Sequence, residues 1–329
     1  MKVILFGGAG YIGTHVALSF LERGDEVGIY DNLSTGLESN VSPDAKFYLG
    51  DILDRDRVRE VLSEGWDVAV HLAAFKAAGE SMVKPEKYSE NNITGSLILI
   101  TECLNAGCRN FILSSSAATY GEPQYLPIDE KHPTNPENYY GYTKLCIEQN
   151  LEWYSKLKGL NFAALRYFNA AGYDVDGKML GLERNPANLI PIVMEAACGI
   201  RPNVLIFGND YPTEDGTGVR DYVHVTDLAD AHVKAADYIM SKKQNLVVNL
   251  GSEKGLSVMQ IVEAARRITG KEIPAIISPR RPGDPAKLVA ASAYAKKELG
   301  WSAKYSDLDT IISSTWKVYE ENMKRKSGK

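Results

Sequence analysis

A phenol and a primary amine stand four residues apart in Tyr140-Gly141-Tyr142-Thr143-Lys144, a spacing that puts both on one face of a helix. An ammonium beside a phenol favours the phenolate, whose ordinary pKa is about 10, so such a pair can pass a proton near neutral pH. The spacing alone is common, because Tyr154/Lys158 and Tyr238/Lys242 repeat it. Surroundings separate the three. Tyr154 lies roughly 21 Å further along the same helix at about 1.5 Å per residue, too far to serve one site with Tyr140. Tyr238 is expected at the frayed end of a different helix. Only Tyr140 enters its helix from a loop, Pro123 to Pro136, that lies beside a strand ending in Ser114-Ser115-Ser116.

A second constellation opens the chain. Val3 to Phe6 reads as a buried strand, Gly7-Gly8-Ala9-Gly10-Tyr11-Ile12-Gly13 as a tight turn, and Thr14 to Arg23 as a helix ending at Gly24. A second strand, Val27 to Tyr30, closes at Asp31. Strand, glycine turn, helix and a strand ending in an acid form the arrangement that sets a pyrophosphate on a helix N-terminus. The glycines at 7, 10 and 13 follow G-x-x-G-x-x-G rather than G-x-G-x-x-G. Asp31 can accept hydrogen bonds from ribose hydroxyls and would repel a 2′-phosphate, and Asp31 to Gly36 contains no arginine. The expected cofactor is therefore NAD rather than NADP.

The elements that must position these residues continue the alternation. Lys46 to Leu49 and Asp67 to Leu72 read as strands, with a helix between them through Leu62. A long helix is expected over about 88 to 106, then a strand from Asn110 into the three serines, the helix beginning at Asn138, and a strand over Asn161 to Phe168. The fold class is α/β, a doubly wound parallel sheet of the Rossmann kind with a smaller C-terminal substrate-binding domain, and its ligands belong at the carboxyl ends of the strands. The regular alternation stops after Asn169-Ala170-Ala171-Gly172. Residues 173 to 219 are loop-rich, with Pro186, Pro191, Pro202 and Pro212. A helix from Asp227 to about Tyr238 and a strand at Val247 to Leu250 could rejoin the sheet. The division expected is a dinucleotide-binding domain over 1–172, with 221–251 returning to it, and a discontinuous second domain over 173–329 for the substrate. Further helices are expected at Val258 to Thr269 and near Leu308 to Asn322. His71, inside an apolar strand, reads as a core histidine.

Composition excludes several classes. The 329 residues are 44% hydrophobic with a formal net charge of -5, which gives no basic field for nucleic acid. The one dense basic run, Lys324-Arg325-Lys326, reads as a solvated end. The four cysteines form no Cys-x-x-Cys pair and have no histidine at zinc spacing, so neither metal nor disulfide framework is expected, and reduced cytoplasmic thiols are. No apolar run approaches membrane-spanning length, and Val3 to Phe6 is too short for a signal-peptide core.

Read with Asp31-Asn32, Gly50-Asp51-Ile52, Arg166-Tyr167-Phe168-Asn169 and the run Gly208 to His224, these motifs resemble the extended short-chain dehydrogenases and, within them, the UDP-glucose 4-epimerase family. The likeness covers nearly the whole chain, and Phe207 to His224 is its most specific part. It implies that Tyr140 takes the proton of a sugar 4′-hydroxyl while a hydride passes from C4′ to NAD. The 4-keto sugar then rotates and receives the hydride on its other face. By the same resemblance Lys144 holds the nicotinamide ribose and lowers the Tyr140 pKa, and Ser116 hydrogen-bonds the reacting oxygen. Gly7, Gly10, Tyr11, Ile12, Gly13, Asp31, Asn32, Asp51, Ile52, Lys76, Asn91 and Phe168 join Tyr140 and Lys144 around NAD.

The resemblance assigns the UDP-hexose to Ser116, Asn169, Asn188, Leu189, Leu205, Ile206, Phe207, Arg220 and the segment Arg281 to Asp284. Two arginines from distant stretches suit a diphosphate. The ordinary alternatives are a salt bridge of Arg220 with Asp221 and a solvated Arg281. Leu288 falls where some members carry a tyrosine that walls the sugar pocket and others a small residue that admits an N-acetyl group, so N-acetylated UDP-hexosamines stay open. Members commonly pair as homodimers through the 88–106 helix and the Tyr140 helix. Two rivals are weighed. A sugar-nucleotide dehydratase needs an acid pair near the serines, yet Ala117-Ala118 follow Ser116 and no carboxylate precedes Glu122. A non-catalytic NAD-sensing protein on the same fold is the other.

Overall fold

Apolar runs too continuous for a half-exposed strand call for a sheet covered on both faces, and that is how the first half of the chain folds. The computed structural model describes residues 1–179, 181–183, 186–281 and 284–326. Its first strands are β1 (Lys2–Phe6), β2 (Glu26–Asp31), β3 (Lys46–Leu49), β4 (Val68–His71), β5 (Asn110–Ser116) and β6 (Asn161–Tyr167). There follow β7 (Asn169–Ala171), β8 (Val204–Phe207), β9 (Val219–His224), β10 (Leu246–Leu250), β11 (Gly255–Ser257), β12 (Ala275–Ser278) and β13 (Lys287–Leu288).

Among the described residues seven strands form one parallel sheet in the order β10-β6-β5-β4-β1-β2-β3. Side chains alternate between its faces. Val3 and Leu5 pack with Val16 and Phe20 of the helix Tyr11–Glu22 and with Leu228 and Ala235 of the helix Val225–Lys242. Ile4 and Phe6 pack on the other side with Leu99, Cys103, Ile147 and Leu151, from the helices Gly95–Asn105 and Tyr139–Lys158. The strand order runs outward in both directions from β1 and β4, so their carboxyl ends diverge into a crevice.

The chain leaves this sheet at β7, which pairs with β9 in a second sheet containing β11 and β13. β8 pairs with β12, and a third core forms from Val193, Ile261, Val262 and Ile311 of the helices Leu189–Ala197, Val258–Thr269 and Leu308–Lys326. β10 then returns to the main sheet beside β6.

Three expectations change. The first helix starts at Tyr11 rather than Thr14, so Tyr11 and Ile12 contribute its opening N–H groups. The helix Val225–Lys242 runs past Tyr238, whose buried side chain is a packing residue and not a frayed end. The single helix expected over 88 to 106 is interrupted by a π-helical turn, Ser89–Thr94. Within it Asn92 is buried, accepts from the Phe75 N–H at 2.9 Å, and donates to the Phe75 carbonyl at 3.0 Å and the Thr143 hydroxyl at 3.2 Å. An inward amide of this kind suits a widened turn, which is frequent beside functional sites.

The Tyr139–Lys158 helix begins as the sequence predicts. Asn138 is extended and its side-chain oxygen accepts the Gly141 N–H at 2.9 Å, satisfying one of the unpaired donors of the first turn. Asn138→Ala is expected to cost about 1 kcal/mol of stability, measured by urea unfolding, with the native circular dichroism unchanged.

Candidate active site

Tyr140 is held where the helix meets the turn after Ser116. Gly141 permits that approach, since a Cβ there would lie 2.3 Å from the Ala118 carbonyl oxygen. Lys144 is 2% exposed, donates from Nζ to the Ser114 carbonyl at 2.7 Å, and sits 5.9 Å from the centroid of the Tyr140 ring. Ser116 Oγ accepts the Ala118 N–H at 3.1 Å and faces the Tyr140 phenol as a hydrogen-bond partner.

Burial dominates the electrostatics. It raises the Tyr140 pKa, with the Ser116 hydroxyl opposing, and it lowers the Lys144 pKa to about 8, with Glu148 opposing. The expected lowering of Tyr140 by Lys144 is thus not what the protein's own groups produce: desolvation of the phenolate is the larger effect. His71 lies behind Lys144 with Nε2 2.8 Å from the Ser96 hydroxyl, and burial, then Lys144, pushes its pKa to about 3. It is a neutral core residue.

The glycine turn separates into two kinds of position. Gly7 has φ +85, and a Cβ there would meet the Ala73 nitrogen at 2.6 Å, while one at Gly13 would meet the Gly7 oxygen at 2.4 Å. The chain's own backbone demands those two glycines. At Gly10 the nearest atom is the Gly7 oxygen at 3.4 Å, so little in the protein demands it. The space a Cβ would fill lies over a helix N-terminus whose first N–H groups have no intrahelical partner, which suits a pyrophosphate.

Around that turn Asp31 accepts the Ala9 N–H at 3.0 Å and the Leu33 N–H at 2.8 Å, and burial raises its pKa. Asn32 donates to Asp51 at 2.8 Å, and Ile52 is buried against Gly95. Tyr11 donates to the Gly172 carbonyl and packs on Tyr173 with ring centroids 5.1 Å apart. Lys76 pairs with Glu183, Asn91 donates to Asn92 at 2.9 Å, and Phe168 is buried beside Ala117 and Tyr120. Gly7, Asp31, Ser116 and Phe168 therefore gather at the carboxyl ends of β1, β2, β5 and β6. This donor set fits NAD.

Past β6 lies a cavity of about 610 Å³. Of the residues expected for substrate, Asn169, Asn188, Leu189, Leu205, Phe207, Arg220, Arg281 and Asp284 line it. Ser116 stands in register with Tyr167, two residues before Asn169, so the Tyr140-Lys144-Ser116 cluster and the cavity share a border. Ile206 does not line it: strand alternation turns that side chain into the protein, where it is 1% exposed. Leu288 is not in the lining either. It pairs in register with Arg220 and packs on the cluster of Ala117, Tyr120 and Phe168, on the Ser116 side.

Arg220 is not salt-bridged to Asp221. Its Nη1 donates to the carbonyls of Val219 at 2.9 Å and Pro285 at 2.8 Å, and its Nη2 lies 3.6 Å from Asp284. Asp221 faces the other way, wholly buried, accepting from Ser252 N and Oγ at 2.7 Å, Glu253 N at 3.0 Å and Ala290 N at 3.1 Å. Burial still raises its pKa to about 6. The exposed Arg281 is not simply solvated, because its guanidinium lies 3.8 Å from the Phe207 ring centroid. Pro282 and Gly283 of the same segment lie outside the described residues. Arg201, Tyr211 and Tyr222 also line the cavity and were not expected. Arg201, bonded to Glu195, sits in the turn directly before β8, and that adjacency to Leu205 and Phe207 is the signal that could have found it.

The sequence profile described as the NAD dependent epimerase/dehydratase family matches residues 3–251. The chain belongs to that family. It is 46% identical over 325 residues to the UDP-glucose 4-epimerase of Lacticaseibacillus casei, a match spanning 98% of each chain. Its fold is similar to the UDP-glucose 4-epimerase of Brucella ovis, solved in complex with NAD, with a TM-score of 0.94 and 44% identity over 97% of this chain and 98% of that one. It is also similar to the UDP-Glc/GlcNAc 4-epimerase of Campylobacter jejuni, with a TM-score of 0.85 and 37% identity over 97% and 99% of the two chains.

In this NAD-dependent epimerase/dehydratase the glycine turn makes two separable demands. Gly10→Ala is expected to leave the thermal unfolding of the protein without added nucleotide unchanged but to weaken NAD binding by about tenfold or more, read by titration. Gly13→Ala is expected to lower the unfolding temperature itself. Equal effects of both on stability would remove the distinction.

Proposed function

We propose that the protein interconverts UDP-galactose and UDP-glucose by transient oxidation at C4′ and return of the hydride to the opposite face. The observation that carries this is the shared border between the Tyr140-Lys144-Ser116 centre and a cavity lined by arginines. NAD, when bound, accepts and returns the hydride, and its oxidised nicotinamide adds a positive charge.

The chain's own residues do the rest. Gly10, Tyr11 and Ile12 hold the pyrophosphate through backbone contacts, Asp31 and Asn32 serve the adenosine ribose, and Lys144 serves the nicotinamide ribose. Asp51, Ile52, Lys76, Asn91 and Phe168 complete that wall. Tyr140 takes the proton of the 4′-hydroxyl and returns it, and Ser116 orients the same oxygen. Burial keeps the phenol protonated among the protein's own groups, so its ionisation depends on positive charge brought beside it. Arg220 and Arg281 clasp the diphosphate from opposite stretches of chain, and Phe207 and Leu205 offer apolar surface to the base.

The position of Leu288, packed on the Ser116 side and in register with Arg220, supports a sugar pocket of intermediate width and hence the N-acetylated UDP-hexosamines as further substrates. Elimination of water is not supported, because Ala117 and Ala118 follow Ser116 where an acid pair would be needed. A homodimer is supported by Tyr142, Trp153 and Leu157, which leave one face of the Tyr139–Lys158 helix apolar and 46%, 60% and 69% exposed. The free cysteines Cys103, Cys108, Cys146 and Cys198 support a cytoplasmic setting, and the return of the helix Val225–Lys242 and β10 to the main sheet supports the division at about residue 172, with most of 221–251 rejoining the first domain and its first residues staying in β9 of the second sheet.

Purified protein incubated with UDP-galactose and no added cofactor is expected to form UDP-glucose without net oxidation. Absence of conversion with NAD bound would leave the non-catalytic reading. Tyr140→Phe is expected to lower turnover by roughly 10² to 10⁴ with NAD still bound, and unchanged turnover would move the base elsewhere. Leu288→Tyr is expected to harm an N-acetylated substrate far more than the plain hexose, measured as the ratio of kcat/KM values. Equal losses would take Leu288 out of the specificity argument.

A further inference from the structure

The helix that carries Tyr140 and Lys144 offers a third polar residue to the same strand, Glu148, which the chemistry above leaves unused. Its carboxylate is 4% exposed. Ser115 Oγ donates to Oε1 at 2.5 Å, and Arg166 donates through Nε to Oε1 at 3.0 Å and through Nη2 to Oε2 at 2.5 Å. Arg166 also donates to the Tyr120 hydroxyl at 2.9 Å, and that hydroxyl donates to Asn249 at 2.7 Å. The network therefore spans the helix, β5, β6, β10 and the turn after Ser116.

Three consecutive residues of β5 are each taken by one helical residue. The Ser114 carbonyl accepts from Lys144, the Ser115 hydroxyl donates to Glu148, and the Ser116 hydroxyl faces Tyr140. Ion pairs withdrawn from water contribute little net stability, whereas a fully satisfied polar network fixes one geometry. We infer that Glu148 is a positioning residue for the reaction centre: through Ser115 and Arg166 it sets the register in which β5 meets Tyr140 and Lys144, and its charge supports the Lys144 ammonium.

The groups facing Lys144 are Tyr140 and Glu148 on its own helix and His71 on β4, while Tyr167 on β6 faces Tyr140 and Arg166 on β6 faces Glu148. His71 and Tyr167 are held neutral by burial, so Glu148 is the one carboxylate of this set. Removing its charge lowers the Lys144 pKa, because the ammonium loses its negative neighbour and Arg166 is left uncompensated.

The test rests on the epimerase reading and uses the NAD-loaded enzyme with UDP-galactose. Glu148→Gln is expected to lower kcat by about tenfold, with KM within about twofold, and to move the limb of the kcat–pH profile set by Lys144 to lower pH by about half a unit or more. Glu148→Asp, which keeps the charge, is expected to restore the wild-type profile and part of kcat. Ser115→Ala, which cuts the tie to β5, is expected to lower kcat without moving the profile. A Gln variant with wild-type kcat and profile would overturn the inference, as would equal losses in the Gln and Asp variants with unmoved profiles. Should the Gln variant not fold as holoenzyme, wild-type kcat in Ser115→Ala would overturn it. Absence of turnover in the wild type would refute the reaction itself, a distinct result.

Discussion

An amine buried to 2% exposure must keep a hydrogen-bond acceptor, and among the described residues Lys144 has the Ser114 carbonyl at the end of β5. Much of the centre follows from that bond. The helix must dock close enough to reach the strand end, which Gly141 allows against the Ala118 carbonyl and Asn138 supports from the first turn. Once docked, the same helix sets Tyr140 against Ser116 and Glu148 against Ser115. The serine run at the end of β5 is thus less a set of three hydroxyls than a rail of two hydroxyls and a carbonyl, read by one helix at successive turns.

Burial that orders the centre also shifts its acids and bases in opposite directions. The phenol is pushed up and the amine down to about 8, so the phenol does not ionise merely because the lysine is near. Positive charge brought beside the ring is what such an arrangement calls for if the phenol is to ionise. The cavity is built separately, by loops and short strands beyond β6. Asp221 links the two regions: its four hydrogen bonds tie β9 to the chain after β10 and to Ala290, while its neighbour Arg220 faces the cavity.

Legibility followed the range of the forces involved. The strand, glycine turn, helix and acid of residues 3–31 are local features, and the period of the apolar residues was enough to read them. The Tyr140 helix and its Asn138 start were legible for the same reason. The π-helical turn at Ser89–Thr94 was not, because it goes with Asn92 reaching Phe75 and Thr143, far along the chain. Nor was Arg201, whose place at the cavity depends on how the turn before β8 packs. Ile206 was misplaced as a lining residue because its membership in a motif said nothing of which face of β8 it occupies.

The sequence by itself determined the doubly wound sheet, the nucleotide-binding turn and the pairing of a tyrosine with a lysine, because each is encoded in near neighbours and in the alternation of apolar residues. Tertiary structure alone decided which arginine contacts are made. Asp221 is turned from Arg220 into a buried clasp and Arg281 is laid over Phe207, since the first depends on segments brought together by β9, β10 and β13 and the second on the pairing of β8 with β12. It also decided the ionisation of Tyr140, because desolvation depends on everything packed around the ring and not on the lysine four residues away.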